Sequence, residues 1–97
     1  MNMLNICEFL ILNELRKDSN LYGFQIKQRI DQQAVRNASL GGIYTTLHKL
    51  ETKGLVESNW EDGRNSGGAR RRFYRLTDIG TDTCNLTRSL LNRLLTE

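Results

Sequence analysis

Five arginines, Arg64, Arg70, Arg71, Arg72 and Arg75, make up the densest run of one chemistry in this 97-residue chain, and beyond Asp62 no acid interrupts them until Asp78. Guanidinium groups at this density suit phosphate contact or insertion into a narrow minor groove, where the negative potential is strongest. The same charge would also keep an exposed strand edge from aggregating, so a merely soluble hairpin is the plain alternative. The formal net charge of +3 is mild, and local density rather than the total decides whether nucleic acid is a partner. The residue types that make enzymes are thinly represented. Cys7, Cys84 and His48 are the nucleophile and base types, but both cysteines fall in helical apolar patterns and read as buried thiols, whereas His48 reads as outward. As metal ligands they would give two thiolates and one imidazole without ligand spacing. No catalytic residue, metal site or cofactor is expected.

The arginines need a scaffold, and the stretch Leu40 to Val56 supplies its centre. At about 100° per residue, Leu40, Ile43, Tyr44, Leu47 and Leu50 share one side of a helix, with Tyr44 at the edge of the core. Gly41, Thr45, His48, Lys49 and Thr52 point the other way, with Gly42 and Lys53 beside them; the one acid, Glu51, sits on the apolar flank. Ser39 is placed to cap this helix and Gly54 to end it in a left-handed residue. An outward face of small residues and donors, free of negative charge, suits a major-groove reader, although it also reads as ordinary solvated surface.

Around this centre the other elements follow in order. From Met3 to Arg16 the apolar residues exceed one stripe, so the helix must be covered on most sides. One face serves the core, and the other, with Leu4, Phe9 and Leu12, is assigned to a second subunit. Lys17 to Asn20 is a turn with Ser19 or Asn20 as cap of a helix from Leu21 to Gln33, whose Tyr22, Ile26 and Ile30 face inward. Gly23 in its first turn either permits close backbone approach or is a tolerated cost, and Lys27 and Arg29 face solvent or phosphate. Leu55 to Glu61 reads as a strand carrying Trp60, a residue expected in the core. Asp62 to Ala69 is a glycine-rich turn, and Arg70 to Thr77 is the return strand, with Tyr74 and Leu76 on one face and Phe73 and Arg75 on the other. Thr77 caps a last helix whose Leu86, Leu90 and Leu94 lie at four-residue spacing and need a cover, here a partner subunit. A single core of this size is marginal alone, which also favours an oligomer. No apolar run is long enough to span a membrane and the N-terminus lacks signal-peptide features, so a cytoplasmic protein is expected.

Three helices, a hairpin with a basic tip and a closing helix give a mainly α fold with a small β-hairpin, the winged helix-turn-helix arrangement. In that arrangement the third helix reads the major groove and the hairpin touches the adjacent backbone or minor groove. Residues 1–97 form one domain, with 1–77 the winged helix and its N-terminal dimerisation helix, and 78–97 a C-terminal dimerisation helix. Several residues then carry a resemblance: Tyr22-Gly23 opening the second helix, Gly42-Ile43-Tyr44 with Leu47, Leu50-Glu51 and Gly54-Leu55-Val56 through the third, then Trp60, Arg71-Arg72-Phe73-Tyr74, and Leu76-Thr77 with Gly80. In order and spacing the chain resembles the PadR family of bacterial transcriptional regulators over nearly its whole length. The resemblance implies a homodimeric repressor bound to a pseudo-palindromic operator in double-stranded DNA, with dimer contacts from the first and last helices. Tyr44, Thr45, His48 and Lys49 would then lie at or near DNA, joined by Lys53 and by Arg64, Arg70, Arg71 and Arg72. The family commonly has proline after the tyrosine of the third helix, where this chain has Thr45. Some smaller members bind flat aromatic compounds at the dimer interface, which adds a small aromatic effector to the partners. The rival readings are a winged domain used for protein contact and a DNA binder without sequence preference.

Overall fold

The computed structural model describes residues 4–33, 38–61 and 70–96, in the order α1 (Ile6–Lys17), β1 (Leu21–Tyr22), α2 (Gly23–Gln32), α3 (Leu40–Thr52), β2 (Val56–Glu61), β3 (Arg71–Leu76) and α4 (Asp78–Leu95). The first helix starts three residues later than the apolar pattern predicts because Asn5 caps it. The Asn5 side chain accepts from the Glu8 amide at 2.8 Å and the Glu8 carboxylate accepts from the Asn5 amide at 3.0 Å, a reciprocal capping box. After α1 the chain reverses at Asn20, whose φ of 62° lies in the left-handed region that asparagine tolerates.

That reversal corrects the expected start of the second helix. Leu21 and Tyr22 are not helical; they pair with Tyr74 and Phe73 as an edge strand, so the hairpin becomes a three-stranded antiparallel sheet of order β1-β3-β2. The helix cap falls to Tyr22 rather than Ser19 or Asn20, and the Tyr22 amide donates to the Gln25 side chain at 3.1 Å. Gly23 permits close approach: a Cβ there would lie 2.5 Å from the Tyr44 ring.

Ser39 caps α3 by accepting from the Gly42 amide at 2.9 Å, and Gly54, with φ 77°, ends it. The Leu55 amide still bonds to the Leu50 carbonyl, so β2 begins at Val56 and runs in register with β3 from Val56↔Leu76 to Glu61↔Arg71. Thr77 joins three elements: its hydroxyl accepts from the Gly80 amide at 3.0 Å and donates to the Gly54 carbonyl at 2.6 Å, while its amide donates to the Leu55 carbonyl. Gly80 lies so near this turn that a Cβ would come within 1.8 Å of the Leu55 carbonyl oxygen.

The core gathers Ile11, Leu12 and Leu15 of α1, Ile26 and Ile30 of α2, Ile43, Leu47 and Leu50 of α3, and Leu21, Leu55, Val56, Tyr74 and Cys84. Two expectations are overturned. Leu12 is 0% exposed and fills the core, so it is unavailable to a partner subunit; Leu4 and Phe9 only partly pack against the core and keep an open side. Cys7 is exposed, although Ile11 one turn further along α1 is buried, so the apolar pattern does not fix its burial; only Cys84 is a buried thiol. Two carboxylates on α1 are also buried. Glu14 holds the Gln33 side chain and Lys17, and Arg29 reaches Glu14 and Asp18, while Lys27 pairs with Asp31. Arg29 and Lys27 therefore tie up acids of α1, the following turn and α2.

Candidate nucleic-acid interface

Burial of Ile43, Leu47 and Leu50 fixes the rotation of α3 and turns Gly41, Gly42, Tyr44, Thr45, His48, Lys49 and Thr52 outward. The hydroxyls of Thr45 and Thr46 donate back to the carbonyls of Gly41 and Gly42 at 3.0 and 2.9 Å, so each oxygen keeps acceptor capacity toward a ligand. Tyr44, placed at the core edge by its position on the wheel, is 41% exposed, with its ring lodged over Gly23. Lys53 departs from the expected set. Its ammonium bonds to the buried Glu8 carboxylate at 2.7 Å, which draws the side chain toward α1 and away from the outward face.

The wing strands add the second half of the surface. Residues two apart share a strand face, so Arg70, Arg72 and Tyr74 line up opposite Trp60, the cross-strand partner of Arg72. Trp60 is not a core residue: it is 56% exposed, with the Arg70 guanidinium 5.0 Å and the Arg72 guanidinium 5.7 Å from its ring centroid. Stacking of this kind orients a guanidinium and leaves its N–H edge free. Strand alternation starts Arg71 on the other face, 4.8 Å from the Tyr22 ring, which meets Phe73 edge-on at 5.5 Å, yet Tyr22 and Arg71 both border the same cleft as Trp60 and Arg70.

The arginines are not equivalent. Arg72 donates to Glu51 at 3.0 Å and to the Ser58 hydroxyl at 2.8 Å, and Ser58 donates in turn to Glu51. Arg75 is paired with Glu57 at 2.6 Å. Among the described residues, Arg70 and Arg71 meet no carboxylate. Arg64 lies outside the described residues.

Between the wing and α3 these groups enclose an open cleft of about 330 Å³, lined by Tyr22, Tyr44, Trp60, Arg70, Arg71, Arg72 and Tyr74. Tyr22 and Tyr74 were not among the expected site residues, although the period-two alternation already puts Tyr74 in line with Arg70 and Arg72. Burial raises the Tyr74 phenol above its ordinary pKa, with Glu51 and Tyr44 adding to the rise and Arg72 opposing it, so the hydroxyl stays protonated near neutrality.

A second, larger concavity runs between α1 and α4. It measures about 910 Å³ and is walled mainly by Leu4, Ile6, Phe9, Leu55, Leu86, Leu90, Leu91 and Leu94, with Lys53 at its margin. Leu94 is 73% exposed. The described residues hold no group of side chains able to bind a metal, and burial pushes the Cys84 thiol up, against the opposing charges of Arg16 and Arg88. No helix among the described residues is long and apolar enough to cross a membrane.

A small antiparallel sheet closing a helical core, with the third helix turned outward beside a basic two-stranded wing, is the architecture of winged-helix transcriptional regulators. Residues 11–85 match the Transcriptional regulator PadR-like family, and the chain belongs to that family. The transcriptional regulator Rv3488 of Mycobacterium tuberculosis is 34% identical over 80 residues, spanning 82% of this chain and 71% of the relative. Among solved structures, a PadR family regulator of Clostridium difficile superposes with a TM-score of 0.84 at 27% identity, covering 93% of this chain and 91% of the other. MarR of E. coli shares the fold, with a TM-score of 0.71 at 21% identity over 90% of this chain and 57% of its own. The protein is a transcriptional regulator rather than an enzyme.

Proposed function

We propose that two copies of this chain bind a pseudo-palindromic site in double-stranded DNA and repress transcription from it, in the cytoplasm of a bacterium. The observation that carries this reading is the pairing of an acid-free outward face on α3 with a wing whose Arg70 and Arg71 meet no carboxylate among the described residues. Thr45 and His48 are the candidates for base edges in the major groove. Lys49, Tyr44, Arg70 and Arg71, together with Arg64, are the candidates for phosphate or minor-groove contact, and Arg72 supports the wing from its bond to Glu51. Leu4, just before α1, and Phe9 of α1 with Leu86, Leu90 and Leu94 of α4 form the proposed dimer surface. Residues 1–77 then act as the reading unit and 78–97 as the dimerisation helix. The apolar groove is also where a flat aromatic effector would lodge between the two copies.

Selection of bound fragments from random double-stranded DNA, followed by a salt titration of the winning sequence, tests this. The expected result is a two-fold symmetric site with half-sites about one helical turn apart and an affinity that falls steeply with salt. Arg71→Ala and Lys49→Ala should each weaken binding and lower the salt slope by about two units, because each of the two copies loses one phosphate contact. Binding without sequence preference, or none at any salt, overturns the reading.

A further inference from the structure

The cleft between the wing and α3 carries chemistry that contact with a duplex backbone does not require. Four aromatic rings line it together with three guanidiniums, and its described lining contains no carboxylate. Arg72 is already neutralised by Glu51 at 3.0 Å, whereas Arg70 and Arg71 meet no carboxylate among the described residues. Two guanidiniums that meet no carboxylate among the described residues match a dianion better than a monoanion, and a phosphate monoester carries about −1.5 to −2 at neutral pH. The rings of Tyr44 and Trp60 are each about half open and border the same space, so a flat group has an aromatic surface to lie against. At about 330 Å³ the cleft is at the small end of ligand sites, with room for one planar ring system and a phosphate.

We propose that this cleft binds a free phosphate monoester bearing a planar ring, of the size of a nucleoside monophosphate, and that this ligand and DNA exclude each other. The ring lies against Tyr44 and Trp60 while the phosphate takes the N–H edges of Arg70 and Arg71. Exclusion follows because Tyr44, Arg70 and Arg71 are also assigned to DNA; that half of the inference rests on the proposed function, whereas binding of the ligand does not. By linkage, each occupant weakens the other by the same factor.

Trp60 is the single tryptophan of the chain and reports the cleft directly. Its fluorescence is followed in the intact protein without DNA while adenosine 5′-monophosphate, adenosine and benzoate are titrated separately. The expected result is a saturable change with adenosine monophosphate, with adenosine and benzoate each binding about tenfold or more weakly because they lack the dianion or the full ring system. The double variant Arg70→Gln/Arg71→Gln, its circular dichroism melt matching the parent, should lose the preference for the phosphate. Equal binding of adenosine and its monophosphate, no saturable change, or a double variant that keeps the preference overturns the site. In a second arm, adenosine monophosphate is added to the protein bound to its selected DNA fragment; release is expected, and simultaneous occupancy overturns the exclusion. DNA binding without nucleotide binding sinks this inference and leaves the proposed function standing, whereas nucleotide binding without DNA binding keeps the site and overturns both the proposed function and the exclusion.

Discussion

At the scale of single residues, charge in this protein is divided between groups that tie the fold together and groups left for a partner. Lys53 and Glu8 show the first kind. Burial pulls the Glu8 carboxyl upward, but the bond from Lys53, the amide of Asn5 and the charges of Lys53 and Lys49 outweigh it, and the net shift is downward. A carboxylate with a lowered folded-state pKa contributes stability that is fully present above the unfolded value of about 4.3 and is lost as pH falls through the folded value. Glu8→Gln should therefore flatten the acid limb of the stability curve, as read by urea unfolding across that range. Lys53→Met should cost about 1–3 kcal/mol, because it leaves a buried acceptor without its partner, yet leave the salt slope of DNA binding unchanged. A slope that falls by about two, one contact from each copy, would return Lys53 to the DNA-contact set. The helical wheel placed Lys53 beside the outward face and could not reveal its capture, because Glu8 lies 45 positions away in sequence. The same holds for Arg72, whose partner Glu51 is 21 positions distant. Spacing gives the direction of a side chain; only the packing of distant elements says which charges are neutralised.

At the scale of elements, the signals that are local in sequence were legible and those that depend on a distant neighbour were not. Ser39, Gly54 and Thr77 act as cap, stop and cap because each acts on backbone within a few residues of itself. The two-residue β1 has no such signal. It exists because Tyr74 and Phe73 offer it an edge, and Asn20 turns the chain onto that edge. A helix that is apolar on most sides poses the same difficulty: Leu12 and Leu4 look alike in sequence, but one is sealed in the core and the other borders the groove. The glycines that determine how elements meet give a sharper test. Gly80→Ala forces a Cβ to within 1.8 Å of the Leu55 carbonyl oxygen, where neither backbone can yield without moving the start of α4 off the α3–β2 turn. A loss of about 3 kcal/mol or more is expected in thermal or urea unfolding. Gly41→Ala meets nothing within 4 Å and removes a poor helix former, so it should leave stability unchanged or raise it by up to about 1 kcal/mol. Equal effects of the two substitutions would show that the contact at Gly80 is not what joins α4 to the turn.

At the scale of the whole molecule, the chain is elongated, 51 × 28 × 20 Å, and the end of α4 presents Leu86, Leu90, Leu91, Leu94 and Leu95 to solvent. An exposed apolar stripe of this kind, on a chain whose single core is small, is the signature of a surface that is covered in use. If a second copy covers it, folding and association are linked, and the melting temperature of the wild-type protein rises with concentration. Leu90→Glu/Leu94→Glu puts charges on the proposed interface without touching the core, so this variant should sediment as a folded monomer whose melting temperature no longer depends on concentration. Leu12→Glu provides the contrast, since a carboxylate forced into the core should unfold the chain rather than dissociate it. The monomeric variant should also contact only one half-site of the selected DNA, so its salt slope falls to about half that of the wild type. A wild-type protein that sediments as a monomer at every concentration, or a Leu90→Glu/Leu94→Glu variant that keeps the full slope, would show that one copy holds the whole site and that the leucines of α4 serve some other contact.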